Sequence, residues 1–327
     1  MILTLTANPS IDRTVTLDQP LTRGAVQRVT SVTNQAAGKG VNVVRVVAAA
    51  GHPSLAVVPA GKNDPFTTRL RAQGVDHVAV STPGDVRVNL AVIEPDGTTT
   101  KINEPGARLS VQVLDELTRV LVEHAGRARW VVLAGSLPPG VAEDWYAQLV
   151  PMLRTAGTRV AVDTSGAPLL ACCTGAQRPH LIKPNGEELA ELAGAGTDPE
   201  TDLDAAVAAC RTLVRNGIEA VLATLGAGGA VLVTAAGAWY AAAPHVSVKS
   251  TVGAGDSTLS GYLIGHTAGA GPAACLRRAV AYGTAAVQLP GSSLPTPREV
   301  RPQAVCVTAL PATTGGARRQ SPRSRSR

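Results

Sequence analysis

Short runs of β-branched and other apolar residues alternate along this chain with longer segments rich in alanine and leucine. Several of the short runs contain no polar residue, as expected for strands of a sheet that is buried on both faces. The predicted strands cover residues 2–6, 55–58, 130–134, 159–163, 181–182, 220–224 and 230–233. The predicted helices cover residues 40–50, 114–125, 145–156, 187–193 and 203–216. This alternation predicts a parallel α/β sandwich.

Two regions do not fit this alternation, because their predicted strands alternate between polar and apolar residues. These strands cover residues 13–17, 27–33, 86–93 and 98–102. The turn sequence Pro95-Asp96-Gly97 joins the last two. A sheet of so few strands is not stable alone. We therefore expect a small exposed β-sheet that covers the main body as a lid or pairs with a second subunit.

Composition excludes several classes of function. The chain has 327 residues and 45% hydrophobic content, which is enough to build a full core, but only 2% aromatic residues. So few aromatics disfavour a protein that stacks on single-stranded nucleic acid. The formal charge is +6, yet the last ten residues carry five arginines and no acid, and without them the charge is +1. We therefore expect no nucleic-acid or membrane partner for the folded body, and a disordered basic tail at residues 311–327.

The cysteines and the N-terminal sequence indicate the compartment. Five cysteines without a C-x-x-C pair suggest neither a disulfide framework nor a zinc site. The chain enters its first strand directly, without the pattern of a secretion signal. No uncharged apolar stretch reaches the roughly 20 residues that span a bilayer. A soluble, cytoplasmic protein is expected.

A glycine turn followed by one carboxylate is the motif that indicates the chemistry. It runs from Ser250 to Ser257, with the sequence STVGAGDS, and leads into an apolar helical segment. Gly253 and Gly255 can direct successive backbone N–H groups at one anion, and the helix dipole favours the same anion. Asp256 fits this place if it takes a proton from a hydroxyl while the N–H groups hold a phosphoryl group. The alternative is that Asp256 is only a helix N-cap.

Three other segments carry groups suited to a sugar or a phosphate. Asp12 follows the first strand, where open α/β sheets place ligand-binding loops, although it could equally be a turn carboxylate. Residues 38–42, with the sequence GKGVN, open a helix with two glycines, Lys39 and Asn42, but do not form a Walker loop. Arg87, in the predicted lid, is a forked donor suited to phosphate, or else a solvated strand residue.

Two further motifs suit a metal and a nucleotide. Asn185 and Glu188 lie three residues apart at a helix start, where their oxygens suit Mg²⁺ and equally suit a capping box. Residues 224–229, with the sequence TLGAGG, could approach a nucleotide or form a hairpin turn. No glycine turn in the chain has the G-x-G-x-x-G spacing, so a dinucleotide-binding dehydrogenase is not indicated.

Together these motifs resemble those of the ribokinase-like sugar kinases of the PfkB family, over roughly residues 1–300. The segments TVGAGD at 251–256 and AGKGVN at 37–42 carry the resemblance. NPSID at 8–12, KINEPG at 101–106 and GSLPPG at 135–140 are similar to the branch of 1-phosphofructokinases and tagatose-6-phosphate kinases. One departure is Ala37, where the family usually has glycine, and it bears only on the expected geometry of the sugar loop.

The resemblance implies a ribokinase-like three-layer α/β sandwich, with a mostly parallel central sheet and a β-sheet lid, in a kinase domain of residues 1–310. It implies ATP and Mg²⁺ as cofactors, and phosphoryl transfer to the 6-hydroxyl of fructose 1-phosphate. Asp256 would be the base. Gly253 would shape the turn, and the N–H groups of Ala254, Gly255 and Asp256 would form the anion hole.

The remaining roles are implied by the same resemblance. The sugar would be held by Asp12, Gly38, Asn42 and Asn103, and its phosphate by Lys39, Arg87 and Ser136, with Asp163 as a further member of the site. ATP would be bound by Lys183, Thr224, Gly226, Ser250 and Gly283. Asn185 and Glu188 would order Mg²⁺ through water, and the lid sheet would pair in a homodimer.

Two alternatives remain open at this point. Within the same family, tagatose 6-phosphate or fructose 6-phosphate could be the acceptor. Alternatively, the chain could be a regulator that binds nucleotide and sugar phosphate without turnover. Asp256 and the Asn185/Glu188 pair argue against a regulator, because a pure binder needs neither a base nor a positioned metal.

Overall fold

Strands and helices alternate along most of the chain in the computed structural model, which describes residues 1–194 and 199–311. The strands are β1 (Ile2–Thr6), β2 (Ser10–Thr16), β3 (Ser31–Ala37), β4 (Ser54–Pro59), β5 (His77–Val80), β6 (Arg87–Ile93), β7 (Thr99–Asn103), β8 (Trp130–Ala134), β9 (Arg159–Asp163), β10 (Leu181–Ile182), β11 (Ala220–Thr224), β12 (Ala230–Thr234), β13 (Gly237–Ala241) and β14 (Val307–Leu310). The helices are α1 (Lys39–Ala49), α2 (Pro65–Ala72), α3 (Val111–Ala125), α4 (Trp145–Thr155), α5 (Gly166–Thr174), α6 (Gly186–Ala193), α7 (Leu203–Arg215), α8 (Ala254–Thr267) and α9 (Pro272–Val287). Apart from Pro311, the predicted tail lies outside the described residues.

The central sheet has ten strands in the order β14-β13-β12-β11-β10-β9-β8-β1-β4-β5. Every neighbouring pair from β11 to β5 is parallel, and β12 to β14 add an antiparallel edge. The parallel part is covered by helices on both faces. On β8, for example, Val131 and Leu133 enter one apolar cluster, whereas Trp130 and Val132 enter the other. The predicted three-layer sandwich with a mostly parallel sheet is confirmed.

A separate four-stranded sheet, in the order β3-β2-β6-β7, forms the predicted lid. The predicted bounds of its first two strands were wrong: β2 begins at Ser10, and β3 covers Ser31–Ala37 instead of residues 27–33. The two strands pair until Ser10 lies opposite Ala37. Gly38 then ends β3, with a φ of 125° that only glycine adopts readily, and caps α1. The lid therefore joins the body at the start of α1.

None of the described helices is long and apolar enough to cross a bilayer.

Candidate active site

Many of the predicted site residues lie at the carboxyl edge of the central sheet. Asp163 is the last residue of β9, Thr224 is the last residue of β11, and Lys183 directly follows β10. Ser136 follows β8 by two residues. Because parallel strands end at the same edge, residues that are distant in sequence converge there, as ligand sites of open α/β sheets do.

Asp256 lies in the first turn of α8 with 8% of its surface exposed. Its Oδ2 accepts a hydrogen bond of 2.8 Å from Asn42 Nδ2 on α1. Asp256 does not cap the helix, since the N-cap is Gly253. Gly253 has a φ of 72°, and a Cβ there would lie 2.6 Å from Leu294 Cδ2, so the turn requires glycine. The Asp256 carboxylate is therefore not used as a helix cap, and it is available to act on a substrate.

The surroundings of Asp256 make it a stronger base than an exposed carboxylate. Burial, and then repulsion from the Asp163 carboxylate, raise its pKa to about 6, although Asn42, Lys39 and Lys183 act in the opposite direction. With this pKa the group is mostly ionised at neutral pH and still accepts a proton readily. A pKa near the working pH is what general-base catalysis favours.

Asp163 is completely buried and joins two lysines. Its Oδ1 lies 2.8 Å from Lys39 Nζ and 3.3 Å from Lys183 Nζ, whereas its buried Oδ2 has no hydrogen-bond partner among the described residues. Burial alone would raise the pKa of Asp163, but attraction to Lys183 and Lys39 outweighs it and the pKa is lowered. The same attraction raises the pKa of Lys39. Asp163 is therefore ion-paired with both lysines, and Lys39 is held as a cation.

The start of α8 supplies backbone donors. The N–H of Ala254 donates to Thr251 O at 3.3 Å, and the N–H of Ser257 donates to Gly253 O at 2.9 Å. For Gly255 and Asp256, no backbone acceptor occurs within the described chain. Gly255 also lies beside Lys183, since a Cβ on Gly255 would be 3.3 Å from Lys183 Nζ. Two unpaired N–H groups and an ammonium group can thus act on one anion.

Asn185 and Glu188 form the capping box of α6. Asn185 Oδ1 accepts the Glu188 N–H at 2.7 Å, and Glu188 Oε2 accepts the Asn185 N–H at 2.9 Å. No group of three or more His, Cys, Asp or Glu side chains suited to a metal occurs in the part of the chain that the structure describes. Glu188 has one further oxygen, and its charge acts on Lys39. Such a single carboxylate fits Mg²⁺ that is bound mainly by water and phosphate oxygens.

The predicted sugar contacts meet at the base of the lid. Asp12 Oδ1 accepts hydrogen bonds from Ser10 Oγ at 2.8 Å and Asn89 Nδ2 at 3.2 Å. Arg87 Nη1 donates to Glu104 O at 3.0 Å, while Arg87 Nε is buried without a partner among the described residues. Asn103 lies opposite Asn89 on β7. These side chains form a polar face of the lid, and none of them is hydrogen-bonded to Asp256 among the described residues.

A cleft of about 390 Å³ adjoins the start of α8, with Ala254 and Gly255 in its lining. It contains the predicted nucleotide residues Thr224, Gly226 and Gly283, together with Asn185. Lys183 and Ser250 do not line it: Lys183 is paired with Asp163, and Ser250 Oγ accepts the N–H of Val252 at 3.2 Å. The turn at residues 226–228 is also the predicted hairpin turn between β11 and β12.

Several residues of the site were not predicted from the sequence. Residues 243–246 and Val248 line part of the cleft, and no motif marks them. Asn8, within a recognised segment, donates to Ser136 Oγ at 3.4 Å and to Pro105 O at 3.0 Å, and so joins three segments. Arg108 lies against Gly140, in the recognised segment at 135–140. The only sequence signal for Arg108 was its position next to the recognised segment at 101–106.

A buried carboxylate at a helix start, unpaired backbone N–H groups beside it and an adjoining cleft are features expected of a phosphotransferase with an alcohol group as acceptor. The model for pfkB family carbohydrate kinases matches residues 5–299. Relatives named 1-phosphofructokinase are 34–36% identical, and that of Rhodobacter capsulatus is 36% identical over 311 residues, which are 94% of this chain and 96% of the relative. The chain belongs to the pfkB family of carbohydrate kinases, for which ATP is the expected phosphoryl donor.

Solved structures agree with this assignment. Phosphofructokinase-2 from Escherichia coli, crystallised with substrates and products, is 30% identical and superposes with a TM-score of 0.85 over 91% of this chain and 96% of that one. Ribokinase from Arabidopsis thaliana, at 22% identity and a TM-score of 0.72, covers 91% of this chain and 96% of its own and shares the fold. The predicted ribokinase-like fold and kinase class are confirmed.

Proposed function

We propose that this chain is a 1-phosphofructokinase, which transfers the γ-phosphoryl group of ATP to the 6-hydroxyl of fructose 1-phosphate. The products are fructose 1,6-bisphosphate and ADP. The observation that carries the proposal is the buried Asp256 carboxylate at the start of α8, beside unpaired N–H groups and two lysines. The relatives named 1-phosphofructokinase support this choice of acceptor.

In the proposed mechanism, Asp256 takes the proton of the 6-hydroxyl as the oxygen attacks the γ-phosphorus. The hydrogen bond from Asn42 holds Asp256 in position. The N–H groups of Gly255 and Asp256, with the Lys183 ammonium, stabilise charge on the phosphoryl oxygens during transfer. Catalysis is then mostly positioning and electrostatics.

The proposed reaction uses Mg²⁺, which would neutralise charge on the ATP phosphates. Glu188 would hold the ion's water molecules through the oxygen that the capping box leaves over, and Asn185 would fix the position of Glu188. To hold the water molecules of Mg²⁺, Glu188 needs its negative charge.

The second phosphate of the product must already be present on the acceptor, and cations of the lid base are proposed to bind it. Arg87 Nε is buried without a partner in the described chain, a costly state that an anion would relieve. Arg87→Ala should therefore raise the KM for fructose 1-phosphate by about 10- to 150-fold, equivalent to about 1.5–3 kcal/mol, and leave the KM for ATP nearly unchanged. A change in the ATP constant alone would place Arg87 on the nucleotide side.

The acceptor is tested by measuring ADP release with fructose 1-phosphate, fructose 6-phosphate, tagatose 6-phosphate and fructose. Fructose 1-phosphate should give the highest kcat/KM, and plain fructose should be a very poor substrate because it leaves the desolvated cations unpaired. A higher kcat/KM for either 6-phosphate would overturn the assignment within the family. ADP release with none of them would favour the regulator.

A homodimer through the lid and a cytoplasmic location complete the proposal. The lid region exposes apolar side chains in the single chain, with Val26 94%, Ile102 58% and Val32 49% exposed, and such a surface favours a protein contact. All five cysteines are free thiols, which suits a reducing compartment. Light scattering that finds a fully active monomer would reject the dimer.

A further inference from the structure

Four polar side chains form one row across the whole lid sheet. Gln35 on β3 lies opposite Asp12 on β2, Asp12 lies opposite Asn89 on β6, and Asn89 lies opposite Asn103 on β7. Residues that face each other across a ladder point to the same side of the sheet. All four side chains therefore project from a single face of the lid.

The end of the row shows which way this face is directed. Gln35 Oε1 accepts a hydrogen bond of 3.1 Å from Ser292 Oγ. Two residues further on, Leu294 Cδ2 lies 2.6 Å from the position that a Cβ on Gly253 would take. The neighbouring row on the opposite face, which includes Ile11, Ala36 and Val88, packs into an apolar cluster. The polar row thus faces the start of α8, where phosphoryl transfer is proposed.

Asn89 has a defined orientation in this row. Its Nδ2 donates to Asp12 Oδ1 at 3.2 Å, and a carboxylate can only accept, so the amide nitrogen must point to Asp12. The carbonyl Oδ1 is then directed elsewhere, and it is buried with no hydrogen-bond partner among the described residues. An enclosed acceptor without a donor is unfavourable, and a ligand hydroxyl would satisfy it.

We propose that Asn89 is a specificity-determining residue of the acceptor site, which accepts a hydrogen bond from a sugar hydroxyl through Oδ1 and orients Asp12 through Nδ2. The inference deepens the proposed function and rests on it. The row then offers a sugar phosphate a carboxylate and amides side by side, matched to a line of neighbouring hydroxyl groups. Loss of a matching hydroxyl should be penalised only while Asn89 is present.

The role of Asn89 is tested by combining a change in the protein with a change in the substrate. The kcat/KM of wild type and Asn89→Ala is measured with fructose 1-phosphate and with its 3-deoxy and 4-deoxy analogues. In wild type, at least one analogue should be about tenfold poorer than the parent, and in Asn89→Ala the same analogue should equal the parent within about twofold. The KM of Asn89→Ala for fructose 1-phosphate should rise about tenfold or more, with the KM for ATP unchanged.

Asn34→Ala is the matched control, because Asn34 is on the opposite face of the same sheet, where it accepts a hydrogen bond from Arg13 Nε at 2.9 Å. It should behave as wild type. Equal analogue penalties in wild type and Asn89→Ala, or the same KM rise in Asn34→Ala, would overturn the role of Asn89. If Asn89→Ala does not fold, Asn89→Ser takes its place. If the wild type prefers another acceptor of the panel, the proposed function fails, and the cycle is run with deoxy analogues of that acceptor.

Discussion

Asp163→Asn and Asn42→Ala are expected to shift the acidic limb of the pH–rate profile in opposite directions. Asp163 repels the charged form of Asp256, and its removal also leaves two lysine charges less neutralised, so the pKa of Asp256 should fall. Asn42 donates a hydrogen bond to the charged form, so its removal should raise that pKa. A hydrogen bond to a charged group contributes about 1.5–3 kcal/mol, so the upward shift should be about one pH unit or more.

The size of the effect in wild type follows from the pKa of Asp256, which is raised from 3.8 to about 6. This rise disfavours the ionised form by about 3 kcal/mol. The carboxylate is then about 90% ionised at pH 7 and about 9% at pH 5, so kcat/KM should fall about tenfold between these values. Below pH 5 the fall should continue at about tenfold per unit.

The assay is kcat/KM for fructose 1-phosphate from ADP release between pH 4.5 and 8.5. The phosphate of the substrate titrates near pH 6 as well, but it does so identically in all three proteins, and the comparison between variants removes it. Thermal denaturation at each pH confirms that the variants are folded. Identical acidic limbs in all three proteins, or shifts in the same direction, would refute the assigned surroundings of Asp256.

Three further predictions concern the metal, the acid stability and the glycine turn. Glu188→Gln can still cap α6 but lacks the charge, so the Mg²⁺ concentration for half-maximal activity should rise; an unchanged titration with a lower Tm would leave only the capping role. Burial and the nearby Arg154 and Arg159 lower the pKa of His180 to about 4, against about 6.5 when unfolded, so the unfolded chain binds more protons. The free energy of unfolding, measured with urea, should therefore decrease as the pH falls from about 6.5 to 4, and it should decrease less in His180→Gln. An equal pH dependence in the two proteins would contradict this. Gly253→Ala should lower the Tm through about 1–3 kcal/mol of backbone strain, and turnover with it; an unchanged Tm would show that the turn tolerates a side chain.

The buried strands of the central sheet could be predicted because the apolar and β-branched pattern lies within each strand's own sequence. β1, β8, β9 and β11 are short and mostly apolar or β-branched, and their bounds agree with the prediction. β5, β13 and β14 were not predicted. They form the edges of the sheet or lie next to an edge, where half-buried and exposed positions weaken the apolar pattern.

In the candidate site, too, local sequence patterns predicted some residues and could not predict the contacts between distant ones. Motifs located Asp256, Asn42 and Lys39, because glycine turns and helix starts leave a local pattern. The pairing of Lys39 with Asp163 joins residues 124 positions apart, and the contact of Gln35 with Ser292 spans 257 positions. Such contacts depend on which strands become neighbours, and no local pattern contains that information.

The measurement that tests the central claim most directly is single-turnover phosphoryl transfer by Asp256→Asn. The amide keeps the shape of the side chain but cannot accept the proton of the hydroxyl. Transfer should fall by about 10²–10⁴-fold, while calorimetry shows ATP and fructose 1-phosphate bound with nearly unchanged affinity. Near-normal transfer by Asp256→Asn would contradict its role as the base.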